Sequence, residues 1–152
     1  ARRCERDNRT IACRGFPFYP YLTRQKEFVG VGTYWVFEDR CWMMSNLERV
    51  DRKFVEEFIA TYEALFVKDK DEFDTYVTFS ATARRTFSRW KREIPLLGRK
   101  GELLIVTPST GEIRPGKSRD YPKMEPFNSE KNYKQAIKDA GGVYPKDGLR
   151  PA

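Results

Sequence analysis

The stretch EFVGVGTYWVFEDRCWMMSN, Glu27 to Asn46, decides the fold. Its first half alternates: Val29, Val31, Thr33, Trp35 and Phe37 share one face of an extended chain, and Phe28, Gly30, Gly32, Tyr34 and Val36 share the other. A period of two, rich in β-branched and aromatic residues, marks a strand. The EDR reversal at Glu38 to Arg40 and the CWMMS that follows then read as a hairpin over 28–45. The odd face is bulky enough to be core, with Trp35 and Phe37 in it. The even face is thin. Gly30 and Gly32 leave a bare strip beside Tyr34 where another backbone or a flat group can approach. Gly30, Gly32 and Tyr34 are therefore candidate partner-binding residues. The competing reading packs the strip inside the domain.

Downstream, the period changes to that of a helix. Leu47, Val50, Phe54, Phe58, Tyr62 and Leu65 form one apolar stripe over about 46–67. Ser45 and Glu48 stand at capping-box spacing, with Asn46 as a competing N-cap. KDKDE, Lys68 to Glu72, breaks the stripe. A second helix is expected over 71–94, with Phe73, Tyr76, Val77, Ala83, Phe87, Trp90 and Ile94 near one face and Pro95 as its stop. TYVTF at 75–79 has strand propensity, which leaves a strand and a shorter helix as the alternative. GELLIVTPSTGEIRPG, from Gly101, reads as two strands near 102–114 around a Pro-Ser-Thr-Gly turn. The expected class is α+β: a small antiparallel sheet on two main helices, in a folded core of 28–114.

The two ends differ from this core in charge. Residues 1–27 carry seven Lys and Arg against three acids, residues 28–111 carry thirteen of each, and residues 112–152 carry nine against six. The whole excess of the +7 chain thus sits at its ends. RGFPFYPYLTRQ, Arg14 to Gln25, sets two prolines among Phe16, Phe18, Tyr19 and Tyr21, which reads as an extended basic arm. These four aromatics are candidate anchors for a partner; alternatively the segment lies across its own domain and closes the core. The tail 115–152 is proline-broken, with a short helix over about 129–140 capped by Asn128 or Ser129.

Composition removes several chemistries. The chain has no histidine, which excludes Ser-His and Cys-His nucleophiles and the commonest metal ligand. Three cysteines without a C-x-x-C argue against a zinc module and a disulfide scaffold, although a Cys4–Cys13 bridge stays open. An intracellular, reducing compartment is the expectation, cytoplasm or organelle matrix not being separated. No apolar run approaches the length of a membrane span, and ARRCERDNRT lacks the apolar region of a secretory signal. LLGRKGELL is not a P-loop and GVG is not a dinucleotide fingerprint. Asp69, Asp71 and Asp74 lack the glycine and closing glutamate of a calcium loop. No cofactor or catalytic constellation is indicated.

Basic charge is the stronger signal. ATARRTFSRWKREI, from Ala81, sets Arg85, Arg89 and Arg92 on one helical face opposite Phe87 and Trp90. Cations at a helix C-terminus also suit the macrodipole, which is the structural explanation. The functional one is an anion-binding face for phosphate or acidic protein. Together these features point to a non-catalytic accessory or linker subunit of a large assembly, docking basic, aromatic-bearing arms on acidic protein subunits. Ribosomal proteins and antenna-complex linkers share that compositional style. An RNA- or DNA-binding module is the alternative, and a small-molecule enzyme with a site lacking histidine is the second.

Overall fold

The computed structural model describes residues 9–143. Five strands form one antiparallel sheet in chain order: β1 (Phe18–Leu22), β2 (Phe28–Thr33), β3 (Ile94–Gly98), β4 (Leu103–Val106) and β5 (Ile113–Pro115). A short helix α1 (Ile11–Gly15) precedes the sheet, and α4 (Glu130–Asp139) follows it. Two long helices, α2 (Arg52–Lys68) and α3 (Lys70–Trp90), are inserted between β2 and β3. The chain is α+β, with an antiparallel sheet and helices as its main parts.

One residue separates the two long helices. Asp69 donates its backbone N–H to the Leu65 carbonyl, closing α2, while its carboxylate accepts from the N–H groups of Asp71 and Glu72, opening α3. Both helix ends are thereby satisfied without a loop. The 75–79 segment lies within α3, so the strand alternative does not form.

Three elements differ from the sequence reading. First, CWMMS is not a strand. The Tyr34 N–H donates to the Pro17 carbonyl, and the chain then runs through 3₁₀ turns at Trp35–Phe37, Trp42–Ser45 and Leu47–Arg49. The physical reason is that β2 has no free edge, being paired to β1 on one side and β3 on the other. Second, α2 begins later than expected, with Asp51 as N-cap accepting from the Lys53 N–H. The Ser45 hydroxyl instead accepts from the Met124 N–H, fastening the C-terminal segment to the turn region. Third, α3 ends at Trp90. Lys91 takes the left-handed conformation, and the chain returns as β3, in which Pro95 lies opposite Ile105.

The folded unit also extends further in both directions than 28–114. β1 lies within the supposed arm and is buried at every position. Its Leu22 N–H donates to the Ser80 hydroxyl of α3, so the helix covers the edge of the sheet. Tyr121, in the supposed tail, is buried and donates its hydroxyl proton between the carbonyls of Leu96 and Leu104. The short helix of the tail is α4, with Ser129 as its cap. Cys4, the rest of residues 1–8 and residues 144–152 lie outside the described residues, and with them the Cys4–Cys13 pairing.

The core runs between the helices and β1, β3 and β4. Val55, Phe58, Ile59, Tyr62, Ala83 and Phe87 meet Phe18, Tyr19, Leu22, Leu96 and Ile105. Trp35 is half-buried between the rings of Phe79 and Phe87. Phe37 is largely outside the core, edge-on to Phe16.

Candidate functional site

The C-terminal half of α3 places Ala81, Arg84, Arg85, Ser88 and Arg89 along one side of the helix, at spacings of three and four residues. This side forms one wall of a cleft of about 450 Å³. The opposite wall is Arg24, from the β1–β2 turn, with Pro108 and Ser109 from the β4–β5 turn. Arg24 donates from Nη2 to the Ser109 carbonyl at 2.6 Å, tying the two turns together. Gly111 makes this approach feasible: its φ is +81°, and a Cβ there would stand 3.3 Å from the Arg24 Nε.

Arg84 is the inner member of the group. It is 7% exposed, and its Nη1 donates to the Tyr21 hydroxyl at 3.0 Å and to the Leu22 carbonyl at 2.8 Å. Its guanidinium carbon stands 5.5 Å from the centre of the Tyr21 ring. Burial raises the Tyr21 phenol pKa, and the hydrogen bond from Arg84 opposes that rise. The phenol therefore stays protonated and neutral. Arg84 is held by a phenol, a carbonyl and a ring face, none of which carries a formal negative charge.

The electrostatics of the cleft follow. Four arginines line it, Arg24, Arg84, Arg85 and Arg89, and none of its lining residues is acidic. Among the described residues none of the four pairs with a carboxylate. Arg85 donates to the Thr82 hydroxyl on its own helix. Burying a cation without a counter-ion is unfavourable, and further cations on the same cleft add to that. An anion entering the cleft relieves both.

The sequence-derived candidates divide sharply. Arg85 and Arg89 are in the cleft. Arg92 is not: α3 has ended before it, and both terminal nitrogens of its guanidinium donate to the Glu38 carboxylate at 2.9 Å. Stacked over Phe87 and Trp90, Arg92 closes the turn region onto the helix end, and its hydrogen bonds with Glu38 raise its pKa. Phe18, Tyr19 and Tyr21 are 1–3% exposed and fill the core. They are therefore not surface anchors. Phe16 alone of the four arm aromatics is exposed.

The glycine strip is also packed. A Cβ on Gly30 would lie 2.2 Å from the Leu97 carbonyl oxygen, and one on Gly32 would lie 2.8 Å from the Tyr19 ring. The glycines allow β3 and the Tyr19 ring to close on β2, so no partner reaches them. Tyr34 is half-buried against Tyr19 and Phe79. Burial, together with its contact with Tyr76, raises its phenol pKa.

Arg24 was missed by the sequence reading, and Arg84, within the basic cluster read there, was not placed on the binding face. Arg84 did carry a signal, one turn beyond Ser80 and beside the apolar position of Ala83, on the inner side of α3. Arg24 carried none, because its partner Ser109 is 85 residues away. Among the described residues no three His, Cys, Asp or Glu side chains gather where they could hold a metal ion, and no helix is long and apolar enough to cross a membrane.

The sequence is similar to part of the protein translocase subunit SecA of Methylococcus capsulatus, at 30% identity over 102 residues. That match covers 64% of this chain and 11% of the translocase subunit, so the chain spans a small part of the curated relative it matches. No family model matches the chain. No solved structure matches it.

Proposed function

We propose that this chain is a non-catalytic accessory subunit of a larger intracellular assembly, and that it docks an acidic segment of a partner protein in the cleft between α3 and the β1–β2 and β4–β5 turns. The observation that carries this reading is Arg84, a nearly buried cation without a carboxylate, backed by three more arginines on the same cleft. The docking surface moves from the aromatic arm, now core, to this cleft. Arg85 and Arg89 are exposed and accessible to a partner. Arg84 and Arg24 are already held by Tyr21, Leu22 and Ser109, so little side-chain entropy is lost when an anion arrives. The nucleic-acid alternative is weaker, because no aromatic side chain lines the cleft to stack a base.

Fluorescence anisotropy with a labelled oligoglutamate peptide and a single-stranded oligonucleotide of equal charge tests the reading. The peptide should bind, weaken as salt rises, and lose affinity to Arg85→Gln/Arg89→Gln. Preferential binding of the oligonucleotide, unaffected by that double substitution, contradicts it.

A further inference from the structure

Resting on that reading, we infer that the cleft recognises a dianionic phosphate monoester, carried on the partner segment as phosphoserine or phosphothreonine, in preference to single carboxylates. The first argument is charge. Four arginines line the cleft without an acid among them. A carboxylate brings one negative charge, whereas a phosphate monoester brings nearly two and three acceptor oxygens.

The second argument is donor chemistry. Every cation on the cleft is arginine and none is lysine. Guanidinium forks match phosphate oxygens in pairs, where an ammonium acts as a point charge. Among the described residues, the hydrogen bonds of Arg84 are made through Nη1 alone. Its Nε and Nη2 make none, so the guanidinium keeps donors for a further acceptor. Ser88 and Ser109 line the cleft as well.

The third argument is geometry. Arg85 and Arg89 are one turn apart on α3, Arg24 faces them across the cleft, and Arg84 is fixed between the helix and β1. The four cations thus share one cleft of about 450 Å³, a size that suits a compact anionic group. A nucleic-acid backbone offers one charge per phosphate along a line and seeks a stripe of cations with stacking surfaces, which this cleft lacks.

Binding of three peptides of otherwise identical sequence, bearing phosphoserine, glutamate or serine at the central position, tests this by calorimetry. Inorganic phosphate and the oligoglutamate peptide above serve as further probes. The phosphoserine peptide should bind roughly tenfold more tightly than the glutamate peptide, and Arg85→Gln/Arg89→Gln should abolish that preference while leaving the melting temperature unchanged. Its affinity should also fall as the pH drops through about 6, where the phosphate takes up its second proton. The protein has no histidine to titrate there.

Equal affinity for the phosphoserine and glutamate peptides, with oligoglutamate still bound, overturns the phosphate preference and leaves acidic docking standing. Failure of every peptide to bind overturns both. Inorganic phosphate binding as tightly as the phosphopeptide assigns the cleft to free phosphate and overturns the partner segment.

Discussion

Arg84 donates a hydrogen bond to the hydroxyl of Tyr21, 63 residues earlier in the chain, at 3.0 Å. The same nitrogen holds the Leu22 carbonyl, so one guanidinium both fastens β1 to α3 and stands at the back of the cleft. Structure and binding share this residue, and they are separable at its neighbours.

Arg84→Ala should destabilise the fold by about 2–4 kcal/mol, because the Tyr21 hydroxyl and Leu22 carbonyl lose their partner in a buried place. Arg85→Ala, exposed on the next position of the helix, should stay within about 0.5 kcal/mol of wild type. Urea denaturation of both checks the contrast. Equal stability of the two variants would show that Arg84 does not hold β1.

Gly32→Val should destabilise the protein by about 1–3 kcal/mol or prevent folding, because its Cβ would strike the buried Tyr19 ring at 2.8 Å. The strand propensity of valine is no remedy where the ring has nowhere to go. The companion Gly32→Val/Tyr19→Leu should recover part of the loss, as thermal melts would show. No recovery would mean that the ring is not the obstacle.

Phe58→Ala should cost about 3–5 kcal/mol. Phe58 is buried between Phe54 and Tyr62 and presses on Gly15, where even a Cβ would approach to 2.7 Å. A fall in the denaturation midpoint without a change in slope is the expected result.

Alkali should unfold the protein cooperatively. Tyr19, Tyr21, Tyr34, Tyr62, Tyr76 and Tyr121 all have phenol pKa values raised above the ordinary one, with burial as the first cause at each. The native state keeps these protons where the unfolded chain, titrating near about 10, releases them. Their contribution is complete below about pH 10 and is lost as pH rises beyond it, at up to about 1.4 kcal/mol per pH unit for each phenol. Urea midpoints should be flat from about pH 8 to 9.5 and then drop steeply. A flat profile to about pH 11 would show that these phenols are not buried in the folded state.

The fold was legible where one face was wet. The three-to-four spacing of Phe54, Phe58 and Tyr62 reports a helix with one wet face, and β4 and β5 were framed by a turn rich in Pro and Gly. β2 was legible as a strand from its alternation, but the buried run from Gly30 to Gly32 shows that both of its faces are covered. β1 and β3 were not legible, because they are buried at every position and show no alternation. Their prolines, Pro20 and Pro95, then read as breaks. Arg85 and Arg89 could be read from helical spacing alone. Arg92 could not be separated from them without knowing where α3 stops, and Arg24 joins them only through the tertiary fold.

Two-dimensional NMR of the arginine Nε–H signals during titration with the oligoglutamate peptide probes the cleft most directly. Signals of Arg24, Arg84, Arg85 and Arg89 should shift together along one saturable curve. Those of Arg92, held by Glu38, and Arg99, held by Glu63, should stay in place. Shifts spread evenly over the arginines, or gathered away from the four cleft residues, would contradict a docking site between α3 and the two turns.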